Sequence, residues 1–228
     1  TWLRTNQQSV NNLNVYPVPD GDTGTNMLLT MQAALKEVES QEQRSIGRSL
    51  HALAHGALMG ARGNSGVILS QLWRGFARVL EQAEEMDAPA FVHGLVEARE
   101  TAYRGVGEPV EGTILTVSTD IANAAQQALR NGATSNLDIL EAAVQAADES
   151  VENTPNLLPL LKQAGVVDAG GKGLFIILEG MRRAARGQAL DVPLMTIGEI
   201  DFQRIGGVTD VIEPGQDWEV VVDFRPAG

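Results

Sequence analysis

Apolar residues recur at spacings of three and four along most of the first 187 positions, the signature of helices with one buried face. Met27, Met31, Leu35 and Val38 make one such stripe, and Ile46, Leu50, Leu53 and Ala57 make the next. Ile68, Leu72, Phe76, Val79 and Leu80 follow, in a helix that Asn64 and Ser65 are placed to cap. Asp87 with Pro89 reads as a helix start ahead of Phe91, Leu95 and Ala98. Ile114, Val117, Ile121, Ala125 and Leu129 form a stripe that stops at Asn131-Gly132, and Leu137, Leu140, Val144, Ala147 and Val151 form another. Thr154-Pro155 reads as the start of a short helix ended by Gly165. Leu174, Ile177, Leu178 and Met181 belong to a last helix, stopped at Gly187, whose end carries Arg182, Arg183 and Arg186 as a solvated, dipole-complementing cluster.

A row of about eight helices with short Gly/Pro turns and abundant Ala predicts an all-α bundle or closed helical barrel. This first domain is expected over 1–190. Asp191-Val192-Pro193 reads as a linker. Beyond it Trp218, Val220, Val222 and Phe224 alternate with Glu219, Val221 and Asp223, the period of a strand. So short a stretch cannot bury a core of its own. Residues 191–228 are therefore expected to be a linker and the first strands of a truncated second domain. Thr1 is not expected to be a natural start, since the chain begins inside a helical pattern.

Composition narrows the chemistry. Asp and Glu total 29 against 17 Lys and Arg, a net charge of −12, which disfavours tracking a nucleic-acid backbone or an anionic membrane. A nucleotide remains open, because a metal ion can supply positive charge. No apolar run approaches the ~18 residues of a membrane span, and no basic-then-apolar leader is present, so a cytoplasmic location is expected. Cysteine is absent, which removes disulfides, thiol nucleophiles and Cys zinc sites. His51 and His55 lie one helical turn apart without a metalloprotease-type spacing and carry little functional weight. Nothing in the composition excludes a homodimer.

The densest polar turn runs from Asn14 to Met27 and holds Asp20, Gly21, Asp22, Thr23, Gly24 and Asn26. Asp20 and Asp22 are two apart, so a turning backbone can aim both carboxylates at one cation. Hard oxygen ligands suit Mg²⁺, and Mg²⁺ suits phosphates. The helix that follows, expected from about Thr25, offers free amides to an anion. Three further Gly-bearing turns also open helices: Gly60–Gly66 with Asn64, Ser65 and Gly66; Gly107–Thr113 with Gly112 and Thr113; and Gly165–Gly173 with Asp168 and Gly170. None is a Walker A or a Gly-x-Ser-x-Gly motif. Taken singly, each is equally an ordinary capped connection. Gathered on one rim, the four would make a polyphosphate site.

Four motifs carry a family resemblance: Asn11 to Met27, Ala61-Arg62-Gly63-Asn64-Ser65-Gly66-Val67-Ile68-Leu69-Ser70-Gln71, Pro109-Val110-Glu111-Gly112-Thr113-Ile114-Leu115, and Val167-Asp168-Ala169-Gly170-Gly171-Lys172-Gly173. In this order they resemble the N-terminal domain of the bacterial fatty acid kinase ATP-binding subunit, within the wider dihydroxyacetone kinase L-type (Dak2) family. The resemblance implies an eight-helix antiparallel barrel with ATP held at one end by the interhelical loops. It implies that Asp20 and Asp22 hold two Mg²⁺ ions, and that Thr23, Gly24, Asn26, Asn64, Ser65, Gly66, Gly112, Thr113, Asp168 and Gly170 surround the nucleotide. The dihydroxyacetone branch has a further upstream Asp as metal ligand, where Asn14 is the nearest candidate here, and a His where this chain has Thr23. The implied reaction is γ-phosphoryl transfer to a fatty acid carboxylate presented by a DegV-like binding protein. A glycerone-type kinase acting on a small ketose and a non-catalytic nucleotide-binding module are the other readings.

Overall fold

The computed structural model describes residues 1–40 and 45–191. The period-two segment Trp218–Phe224 and the second domain expected over 191–228 fall almost wholly outside the described residues. Ten helical segments are present among the described residues: α1 Trp2–Thr5, α2 Gln7–Asn11, α3 Thr23–Glu39, α4 Ile46–Met59, α5 Gly63–Val79, α6 Ala88–Gly105, α7 Ile114–Arg130, α8 Asn136–Leu157, α9 Pro159–Ala164 and α10 Ala169–Ala185. Each long helix packs on its successor from α3 to α8; α8 packs on α10, and α10 with α1 and α2 closes back onto α3. Counting α1 with α2 and α9 with α8 gives the eight staves of the expected barrel. The turns that open α3, α5, α7 and α10 lie at one end, so alternate staves run in opposite directions.

Three local expectations are corrected. Helix α3 starts at Thr23, two residues before the position read from sequence. Asn64 and Ser65 do not cap α5; its N-cap is Arg62, in extended conformation with no side-chain cap, and both polar residues sit inside the first turn. Pro155 does not start a helix but lies in the last turn of α8, and the short helix begins at Pro159. Proline removes the amide that the Val151 carbonyl would accept. The Thr154 hydroxyl donates to that carbonyl instead, at 2.7 Å, so the turn survives.

The core is aliphatic, with Trp73, Phe76 and Phe91 as an edge-to-face cluster at centroid separations of 6.1 and 5.8 Å. Small residues bring the staves close. At Gly75 of α5 a Cβ would stand 2.2 Å from the Glu97 carbonyl oxygen and 2.6 Å from Thr101 Oγ1 of α6. Gly75→Ala must push the two helices apart, and its expected cost is about 3 kcal/mol, the upper end for overpacking. Thermal melting of the variant checks this, and an unchanged midpoint would mean that the contact yields without cost.

The far end of the barrel is closed by charge as well as by apolar packing. Buried Glu179 receives Arg182 at 2.7 Å and Arg183 at 2.8 Å, and the Arg183 guanidinium lies 4.2 Å from the Trp2 ring centroid. Arg186 pairs with Glu141. Arg183 thus ties α10 to α1 and Arg186 ties it to α8, while Arg182 pairs within its own helix; the solvated reading from sequence holds for exposed Arg186 and is corrected for half-buried Arg182 and Arg183. Between α5, α6, α7 and α10 lies an apolar cavity of about 60 Å³.

Candidate functional site

The first turn is built around Asn14, which is buried. Its Nδ2 donates to Asp20 Oδ1 at 2.6 Å and to the Val18 carbonyl at 2.8 Å, while its Oδ1 accepts from the Thr23 hydroxyl. Asn14 therefore orients Asp20, and its oxygen is engaged by Thr23. In this structure both ends of the Asn14 amide are thus engaged within the turn. Asn11 Oδ1 accepts from the Thr25 amide at 3.0 Å and fixes the start of α3. The Asp20 carboxyl is held above the usual carboxylate range, first by partial loss of water and then by Asp22 beside it. Two hard carboxylates that repel each other fit a shared divalent cation. Among the described residues, no group of three or more His, Asp or Glu side chains gathers as a metal cage.

The second turn docks on α3. Thr30 donates to the Asn26 carbonyl at 2.8 Å and accepts from the Arg62 amide at 3.2 Å. This brings Asn64 and Ser65 to the same wall as Asn26. The third turn is held by Glu111, which accepts from Thr116 at 2.6 Å and from the Tyr103 hydroxyl at 3.2 Å. Gly112 has φ +80° and lies against Leu158, a conformation and a space that suit glycine. The fourth turn hangs on Thr154, whose hydroxyl accepts from the Asp168 amide at 3.0 Å. The same hydroxyl thus repairs the proline turn and positions Asp168.

The four turns converge on one open pocket of about 410 Å³, within the range of small-ligand sites. From the first turn Asn14, Asp20, Asp22, Thr23 and Asn26 line it, and from the second Asn64 and Ser65. Thr113, Asp168 and Gly170 complete the set of residues expected from sequence that reach it. Gly24, Gly66 and Gly112 do not line it. Gly24 and Gly66 stand behind the wall, where a Cβ would come within 2.4 Å of the Gln7 carbonyl and of Thr30 Oγ1 respectively. Tyr16, Glu108 and the apolar residues Val106, Val110 and Leu115 also line the pocket and were not picked out from sequence. Their signal was weak, because a single Tyr or Glu in a loop has no period or spacing to mark it.

Capping divides the pocket. Helices α7 and α10 cap themselves: Thr113 Oγ1 accepts from the Leu115 amide at 3.3 Å, and Asp168 Oδ2 accepts from the Gly171 amide at 2.6 Å. Helices α3 and α5 have no N-cap side-chain bond. Amides at a helix start that its own cap leaves unserved are suited to an anion. Amides left unserved by a cap thus lie on the α3/α5 side, apart from that of Thr25, which Asn11 engages. Among the described residues no Lys or Arg lines the pocket, whereas Asp20, Asp22, Glu108 and Asp168 do. Buried Asp168 is pushed up to about 6 by loss of water, against the opposing effect of the Gly171 and Ile114 amides. Burial, then Asp168 and Glu108, raises the Tyr16 phenol. No described helix is long and apolar enough to cross a membrane.

A family model described as the DAK2 domain matches residues 17–183. An uncharacterised protein of Staphylococcus aureus strain USA300 is 47% identical over 229 residues, which take in 97% of this chain and 41% of the relative. The corresponding protein of strain MRSA252 is 46% identical with the same coverage. The chain thus spans about two-fifths of the length of these relatives. Among solved structures, the dihydroxyacetone kinase of C. freundii matches with a TM-score of 0.53 at 20% identity, over 80% of this chain and 33% of that one.

Proposed function

Because the chain belongs to the DAK2 domain family, we propose that its rim pocket holds Mg·ATP and donates the γ-phosphoryl group to a carboxylate brought by another protein. The observation that carries this reading is the polarity of the pocket. Helix starts whose N-cap residues make no side-chain bond face an oriented carboxylate pair, and among the described residues no cationic side chain lines the wall. A polyanion in such a pocket needs metal ions as partners.

Asp20 and Asp22 would hold Mg²⁺, which when bound neutralises charge on the phosphates. Asn14 keeps Asp20 aimed, and those amides opening α3 and α5 that no side chain engages, with Asn26, Asn64 and Ser65, donate to phosphate oxygens. The bond from Pγ to the β,γ-bridging oxygen breaks as one forms from the acceptor carboxylate, giving ADP and an acyl phosphate. The side chains position and stabilise without a covalent enzyme intermediate.

The acceptor we propose is a fatty acid held by a DegV-like protein. The apolar cavity of about 60 Å³ is far below the ~300 Å³ at which small-ligand sites begin, which favours leaving the acyl tail in a partner. The test uses full-length protein with ATP, Mg²⁺ and either lipid-loaded partner, free fatty acid or dihydroxyacetone. Acyl phosphate is expected with the loaded partner only. Turnover of dihydroxyacetone would instead support the ketose kinase reading, and equal binding of ATP in EDTA would remove the metal from the mechanism.

A further inference from the structure

The four pocket carboxylates fall into two pairs with different surroundings. Asp20 and Asp22 lie beside the uncapped starts of α3 and α5. Glu108 and Asp168 line the same pocket as Tyr16, whose phenol both carboxylates raise. Asp168 is committed, being 5% exposed and bonded to the Gly171 amide. Glu108 is not: it is exposed on the loop between α6 and α7, and it makes no hydrogen bond or ion pair among the described residues. The same side of the pocket carries Val106, Val110 and Leu115.

A carboxylate accepts hydrogen bonds and repels phosphate. A nucleoside triphosphate offers donors only at its base and at its ribose hydroxyls. With the phosphates drawn to α3 and α5, the sugar and base fall towards the α6–α7 loop. The faces of a base suit the apolar side chains there, while an exposed carboxylate at the wet rim suits the sugar. A vicinal diol presents two O–H groups to two carboxylate oxygens, a charge-assisted pairing that is directional and strong.

We infer that Glu108 accepts the 2′- and 3′-hydroxyls of the nucleotide's ribose and makes this a ribonucleotide site. The inference rests on the nucleotide reading above and adds a discrimination that the reading does not require. Sites built to bond a hydroxyl reject the analogue that lacks it, because the acceptor is left unpaired.

The experiment is calorimetry on the full-length protein with Mg²⁺ and each of ATP, 2′-deoxy-ATP, 3′-deoxy-ATP and GTP. Wild type should bind each deoxy analogue about tenfold more weakly than ATP, a typical penalty for one charge-assisted bond. Glu108→Ala removes both bonds and should weaken ATP about 100-fold and each deoxy analogue about tenfold, since each analogue already lacks one of the two. Glu108→Gln, which keeps an acceptor, should fall between. Equal weakening of ATP and deoxy-ATP by Glu108→Ala would overturn the inference, as would wild type binding all three alike. A change confined to the ratio of ATP to GTP would assign Glu108 to the base and overturn it too. All of these leave the nucleotide reading standing. Failure of every nucleotide to bind the wild type with Mg²⁺ would remove that reading and this inference together.

Discussion

Asp22→Ala is expected to weaken Mg²⁺-dependent ATP binding by roughly 100-fold or more while leaving the barrel at least as stable as wild type; loss of even an outer-shell partner of a metal costs 10–100-fold. The argument comes from what Asp22 does without ligand. It occupies the N-cap position of α3, yet its side chain caps nothing. It lies beside Asp20 and helps to raise that carboxyl, a like-charge contact that disfavours the folded, ion-free state. Removing it deletes half of the proposed cation anchor and relieves the repulsion at once. The stability change should lie within about 0.5 kcal/mol of zero or be favourable, as for a surface position without a structural bond. Calorimetry with Mg·ATP and a melt without nucleotide measure the two sides. Unchanged affinity would sink the metal assignment. Lost affinity with a sharply lower melting temperature would mean that Asp22 is structural. Asn14→Ala offers a contrast, because it frees Asp20 and also leaves Thr23 unbonded within a buried network. Its effect should combine weaker binding with loss of stability.

The second large effect is on pH dependence. Asp168 is 5% exposed and its pKa is raised from 3.8 to about 6. A carboxyl raised by folding binds its proton more tightly in the native state than in the unfolded chain. Its stabilising contribution is therefore complete below about pH 4 and is lost as pH rises through about 6. With about 1.4 kcal/mol per pKa unit, the loss by neutral pH is about 3 kcal/mol. Asp168→Asn keeps an acceptor for the Gly171 amide and cannot ionise. Urea denaturation at pH 4.5 and 7.5 should show the stability difference between wild type and variant shifting towards the variant by about 2 kcal/mol at the higher pH, the other ~1 kcal/mol being already lost at pH 4.5. An equal difference at both values would show that Asp168 does not titrate as its burial dictates.

The two pairs of carboxylates illustrate why some of the site was legible before the fold was known. Asp20-Gly21-Asp22-Thr23-Gly24 announced itself through local chemistry, with two carboxylates two apart in a turn that glycine bends. The helices were legible for the same reason. Burial of one face imposes a period on the sequence, as in Ile114, Val117, Ile121 and Ala125, all now buried. Pro155 misled because its effect depends on a neighbour. Whether a proline ends a helix turns on whether the orphaned carbonyl finds another donor, and here the Thr154 hydroxyl supplies it. Arg182 and Arg183 misled because Glu179, the group that holds them, is buried on their own helix, and helical spacing alone does not reveal burial.

The sequence by itself determined the helical stripes, the four Gly-bearing turns and the placing of the turns at helix starts, since each depends on residues within a few positions of one another. The tertiary structure alone decided that the four turns share one pocket, that α7 and α10 are self-capped while α3 and α5 are not, and that Glu108 and Tyr16 join a wall 92 residues apart in sequence. Those relations depend on which helix ends meet when the barrel closes. Closure is set by the summed packing of all eight staves, a quantity that no local pattern of residues carries.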